Sequence, residues 1–96
     1  MTTAITLRVL TGEGVALEDQ AVSIIAPGEP GYLGILRDHA PLVTTLKPGT
    51  LTWRRSSGES LRATLGAGLL EVARNQVTIL TDAVGHPQPV QHEPES

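Results

Sequence analysis

The chain has 96 residues, a mass of 10.1 kDa, no cysteine, one Trp, one Tyr, no Phe and a formal net charge of -3. That length makes one domain with one small core, and size scaling removes roughly two-thirds of the unfolded surface from water on folding. Lacking cysteine, it has neither a disulfide framework nor a thiolate zinc site, and an acidic balance with 2% aromatics provides neither an electrostatic footprint nor stacking platforms for nucleic acid.

The opening "MTTAITLRVLTGEG" has no basic region followed by an apolar stretch and a cleavage site, and no apolar run approaches the length of a membrane span. A soluble, cytosolic protein is expected. Within that opening, "ITLRVL" (5–10) alternates, so Ile5, Leu7 and Val9 share one strand face while Thr6 and Arg8 take the other. "TGEG" (11–14) marks a turn. "QAVSIIA" (20–26) is apolar enough for a central strand, and "APGEPGYLGILRDHAPLV" (26–43) reads as a stiffened, semi-apolar surface loop. "LKPGT" suits a type II turn, with Pro48 pre-setting φ and Gly49 supplying positive φ.

"LTWRR" (51–55) sets Leu51 and Trp53 against Thr52 and Arg54, and "SLRATL" (60–65) turns Leu61, Ala63 and Leu65 inward. The stretch 69–84, "LLEVARNQVTILTDAV", also satisfies a helical stripe through Leu69, Val72, Ala73, Gln76, Val77 and Leu80. A hairpin is the preferred reading, because "RNQ" interrupts two runs and "VTIL" is rich in β-branched residues. Short strands separated by turn chemistry indicate an all-β sandwich or barrel over residues 1–84. "GHPQPVQHEPES" (85–96), with three Pro and no periodicity, is expected to be a disordered tail.

Few residues suggest chemistry. Asp38 beside His39 could form a general-base pair, but sequence neighbours rarely make that geometry, and a turn in which Asp38 accepts backbone N–H bonds is preferred. His86 and His92 lack a third ligand for a metal. The glycines of "TGEG" and "GAG" fit no phosphate-cradling motif. Arg54 and Arg55 read as solvated heads at a strand end. Lys47, the only lysine, stands where biotinyl or lipoyl carrier domains present their cofactor, although no flanking modification signal accompanies it. A carrier using Lys47 and a free-standing ligand-binding β-sandwich therefore stand as alternatives to a docking protein.

Three ordered blocks carry a family resemblance: "LRVLTGEGVALEDQAVSIIAPGEPGYLGIL", "DHAPLVTTLKPGTL" and "GAGLLEVARNQVTILTDAV". Together they resemble the epsilon subunit (delta in mitochondria) of F-type ATP synthases over residues 5–84, with Asp38 where a Gly is usual and Ala67 where a second Gly is common. The resemblance implies a ten-stranded β-sandwich at the foot of the rotor's central stalk, with no active site and no cofactor. Its partners would be the gamma shaft and the c-ring of a proton-translocating enzyme, with transient contact to the alpha and beta subunits, on the cytoplasmic face of a bacterial membrane and without insertion into it. By position, Glu29, Gly31, Tyr32 and Leu33 would form the loop that docks on the c-ring. Asp38, His39, Ala40, Pro41 and Leu42 would form a block near the gamma and ring contacts. Tyr32 replaces an acidic residue common in some members. The family usually continues into a C-terminal helical hairpin that can inhibit hydrolysis; the Pro-rich tail here cannot form it, so inhibition of that kind is expected to be absent.

Overall fold

The computed structural model describes residues 4–90. It contains ten strands: β1 (Ile5–Thr11), β2 (Gly14–Ala21), β3 (Ser23–Gly28), β4 (Gly31–Leu36), β5 (Leu42–Leu46), β6 (Gly49–Arg54), β7 (Ser60–Leu65), β8 (Gly68–Ala73), β9 (Gln76–Thr81) and β10 (Gln88–Pro89). Hydrogen bonding runs continuously in the order β10-β7-β6-β3-β5-β8-β9-β1-β2, with β4 on the other side of β3. The link between β3 and β5 is a single residue pair, Gly28 with Leu46. The path folds over at that corner, so β4-β3-β6-β7-β10 form a first sheet and β5-β8-β9-β1-β2 a second one packed against it. All the paired strands run antiparallel except β1 and β9.

Alternating sequence becomes alternating burial. Ile5, Leu7 and Val9 on β1 and Val77 and Ile79 on β9 are buried in the second sheet, and Leu51, Trp53, Leu61, Ala63 and Leu65 answer them from the first. The stretch 69–84 is the expected hairpin: Ala73 pairs with Gln76, and Arg74 and Asn75 both have left-handed φ, 54° and 59°. Two such residues in a two-residue loop are what the twist of flanking strands selects. The helical stripe loses because β8 and β9 each find a neighbour on the far side, β5 and β1.

Four expectations are corrected. "QAVSIIA" is not one strand; the chain leaves the second sheet at Ala21 and enters the first at Ser23, with the N–H of Val22 bonded to the carbonyl of Arg54 at 2.8 Å. The supposed loop after Pro30 holds β4, paired to β3 from Gly31 to Leu36, and Ile35 is buried rather than exposed. Gly49 is not at positive φ, so "LKPGT" is not the expected type II turn. Glycine is needed there for space: a Cβ would lie 2.7 Å from the Cβ of Pro27 and 2.8 Å from the Tyr32 hydroxyl. Finally, residues 85–90 are part of the fold. Gln88 and Pro89 pair with Arg62 and Leu61, and the N–H of Gly85 reaches the carbonyl of Thr64 at 2.9 Å. The unpaired backbone of β7 satisfies them despite their polar composition. The rest of the expected tail, 91–96, lies outside the described residues.

The two sheets are tied at one edge by a polar link. Asp19 on β2 points inward, and its Oδ2 accepts hydrogen bonds from the buried Trp53 Nε1 and from Arg55 Nε, each at 2.8 Å. Arg55 is thus not the solvated head expected of it; its guanidinium also pairs with Glu59 at 2.8 Å. Burial would raise the Asp19 carboxyl, but the hydrogen bonds from Trp53, Arg55 and the Gln20 N–H, with the charge of Arg55, outweigh it and hold the group below its ordinary value. A depressed carboxyl stabilises the fold above its unfolded pKa of 3.8, and that contribution fades as pH falls through the lower folded value. Urea unfolding followed by Trp53 fluorescence should show Asp19→Ala costing about 2 kcal/mol at pH 7, because it strands the buried indole N–H. Asp19→Asn should flatten the acid limb of the stability curve below the ordinary aspartate range.

Candidate functional site

The candidate segments lie at opposite ends of β4, the first running into the strand and the second beyond it. Glu29 sits in the β3–β4 turn, and its N–H donates to the Thr45 carbonyl at 3.0 Å while its Oε1 accepts from the Thr45 hydroxyl at 2.5 Å. Gly31 opens β4. Leu33 is half-buried against the core. Tyr32 is 56% exposed and lies across Pro27, its hydroxyl accepting a hydrogen bond from the Thr50 N–H at 3.1 Å. The ring is therefore held flat on the outer face of the first sheet, with a phenolic edge toward solvent.

Asp38 to Leu42 lie past the far end of β4, about 17 Å away at the usual rise per strand residue. Asp38 has φ 64°: the backbone is left-handed, and Asp tolerates that better than most residues. Asn75, itself left-handed, clamps it. The Asp38 N–H donates to Asn75 Oδ1 at 2.7 Å, and Asn75 Nδ2 donates back to Asp38 Oδ1 at 3.1 Å. The Asn75 carbonyl accepts from the Thr6 N–H at 2.9 Å, so the β8–β9 turn fastens the block to β1 as well.

The clamp separates Asp38 from His39. The Asp38 carboxylate faces the Asn75 amide rather than the backbone N–H groups expected of it, and His39 Nδ1 lies 2.7 Å from the Ala40 carbonyl, which can only accept. Nδ1 carries the proton, and the two side chains form no general-base pair. His39 and Leu42 are half-buried, whereas Ala40 and Pro41 are exposed. Among the described residues no group of three His, Cys, Asp or Glu could hold a metal ion. His86 is exposed, and His92 lies outside the described residues. Lys47 is exposed at the corner between the sheets. Its N–H bonds to the Pro27 carbonyl at 3.0 Å, and β5 and β6 pair with β8 and β7 rather than with each other, so it is not on a hairpin tip.

One surface feature escaped the sequence reading. On the outer face of the second sheet, Leu69 pairs with Leu80, Leu80 with Leu10, and Leu10 with Val15, a row crossing four strands. Leu69, Leu80, Val15 and nearby Val43 are exposed, and a shallow groove of about 170 Å³ runs between Val43, Leu69, Glu71, Thr78 and Leu80. Val15 joins the row only because a β-bulge between Val9 and Leu10 shifts the register of β2. Beside it, Arg8 pairs with Glu18 at 3.4 Å.

Strand order and layering define a ten-stranded β-sandwich domain whose notable features lie on its outer faces. Residues 4–87 match the model of the ATP synthase delta/epsilon chain β-sandwich domain, and the chain belongs to that family. It is similar to the ATP synthase epsilon chain of Moorella thermoacetica, 44% identical over 82% of this chain and 59% of that one. The epsilon chain of Syntrophomonas wolfei is 36% identical over 83% of this chain and 58% of its own. The chain thus spans under two-thirds of the length of these relatives. Its fold is shared with a chain in the Euglena gracilis mitochondrial ATP synthase OSCP/F1/c-ring structure, with a TM-score of 0.79 at 22% identity over 93% of this chain and 55% of that one. A chain in the Tetrahymena thermophila mitochondrial ATP synthase central stalk and c-ring aligns with a TM-score of 0.65 at 22% identity, covering 88% and 66%.

The clamp is testable by stability alone. Asp38→Gly should change unfolding free energy by less than about 0.5 kcal/mol, since one exposed hydrogen bond is lost while left-handed strain is relieved. Asn75→Ala should cost about 2 kcal/mol in urea titrations, because it loses the clamp and places a Cβ-bearing residue without a local hydrogen bond at φ 59°.

Proposed function

We propose that this chain is a non-catalytic rotor subunit of a proton-translocating F-type ATP synthase, one that binds the gamma shaft and docks on the c-ring so that ring rotation reaches the catalytic subunits. Family membership supports the reading, and the observation that carries it is the apolar row Leu69–Leu80–Leu10–Val15. A contiguous row of this kind on a solvent-facing sheet favours a partner that covers it. A shaft built of helices offers complementary aliphatic ridges.

The two segments at opposite ends of β4 would then divide the work. Asp38 to Leu42, held by Asn75, lie beside the second sheet and would extend the gamma contact. Glu29, Gly31, Tyr32 and Leu33, at the other end, would meet the ring's polar loops through the tyrosine edge and the glutamate. Function would be at the cytoplasmic face of a bacterial membrane, as part of a peripheral complex.

Co-elution with the same organism's gamma subunit on a sizing column tests this directly. A stable one-to-one complex is expected, and a Leu69→Asp/Leu80→Asp variant that keeps native Trp53 fluorescence should bind at least about tenfold more weakly, roughly 1.4 kcal/mol. Persistent failure of the wild-type chain to bind folded gamma would overturn the proposal. His39→Ala should weaken assembly or coupling while leaving turnover in fully assembled complexes intact.

A further inference from the structure

β7 would end the first sheet were it not for residues 86–90. Its inward-facing bonds go to β6, through Leu61 with Trp53, Ala63 with Leu51 and Leu65 with Gly49. Its other edge carries the N–H and C=O groups of Ser60, Arg62 and Thr64. Such an edge is a template for a further strand. At the end of the second sheet, β2 is blunted by its bulge and by Glu18, whereas β7 has no bulge and carries Arg62 as its one charge.

The segment that covers it is unusual in where its prolines fall. The Val90 N–H donates to the Ser60 carbonyl at 2.9 Å, and Gln88 pairs with Arg62. In an antiparallel ladder the groups of alternate residues point to alternate sides, so 88 and 90 face β7 while 87 and 89 face away. Both outward positions are proline, and neither has an N–H. The segment therefore satisfies β7 with one side and offers no donor at those two positions on the other. Two prolines misplaced by one residue would have abolished the pairing.

We infer that residues 86–90 are a guard strand that keeps the β7 edge from accepting β7 of a second copy of this chain. A second copy fits that edge. Antiparallel pairing about a twofold axis at Leu61 sets Ser60 opposite Arg62 and Glu59 opposite Ala63, so no like charges meet, and it leaves the Thr64 carbonyl with the Gly85 N–H. This surface is separate from the apolar row on the second sheet, and the inference does not depend on the proposed function.

Sedimentation of the 96-residue chain at about 100 µM, within the range where exposed strand edges associate, tests it. Gln88→Pro with Val90→Pro removes both inward donors and frees the strap; the wild-type chain should sediment as a monomer and this variant as a dimer, with its weight-average mass doubled and Trp53 fluorescence unchanged. A natively fluorescent variant that stays monomeric overturns the inference, as does a wild-type chain already dimeric. Open-ended aggregation instead of dimers overturns the second copy as the partner. If the variant does not fold, Pro87→Thr with Pro89→Thr decides: it keeps the inward bonds, restores two outward donors, and must self-associate where the wild-type chain does not.

Discussion

A buried indole needs an acceptor for its N–H, and here that acceptor comes from the opposite sheet. Among the described residues Trp53 is the largest fully buried side chain, and its Nε1 meets the Asp19 carboxylate, carried by β2. An unpaired N–H at that depth would cost about 1–3 kcal/mol, so the link fixes how the far edges of the two sheets lie over one another. Elsewhere they are joined by the corner at Gly28 and Leu46 and by the crossing at Val22. With no disulfide to help, ties of this kind and a mostly aliphatic core define the sandwich.

Once the inner faces are spent on that core, only the outer faces and the ends remain free for contact. The outer surfaces are not equivalent. The second sheet presents a row of leucine and valine across four strands, whereas the first carries the Tyr32 ring lying over Pro27 toward Gly49. At the ends, backbone rather than side-chain chemistry dominates: Asp38, Arg74 and Asn75, the three non-glycine residues with left-handed φ among the described residues, belong to one corner. Holding that corner in a costly conformation keeps its shape fixed.

The core was legible because period-two alternation survives in β1, β6 and β7, where each strand keeps its register. It was not legible in β2. The extra residue at the bulge throws Val15 to the outer face, and the inward position of Asp19 looks like an exposed charge until Trp53 is seen across from it. β4 was hidden for another reason: three glycines and two prolines around 27–34 read as a loop, yet Gly28, where a Cβ would meet the Leu33 side chain and the Gly31 carbonyl, lets the ends of β3 and β4 close together. Of the candidate site residues, Asp38 and His39 drew notice as a pair, while Asn75, which decides their relation, is distant in sequence and gave no local signal.

The sequence by itself determined that the domain is all-β, that Ile5, Leu7, Val9, Leu61 and Leu65 lie inside, and which family the ordered blocks resemble, because these follow from local periodicity and contiguous motifs. Tertiary structure decided what depends on distance in the chain: the Asp19–Trp53 tie, the Asp38–Asn75 clamp, and the row from Leu69 to Val15. Each joins residues from different strands, and a strand's neighbours are set by how the sheets stack rather than by its own order of residues.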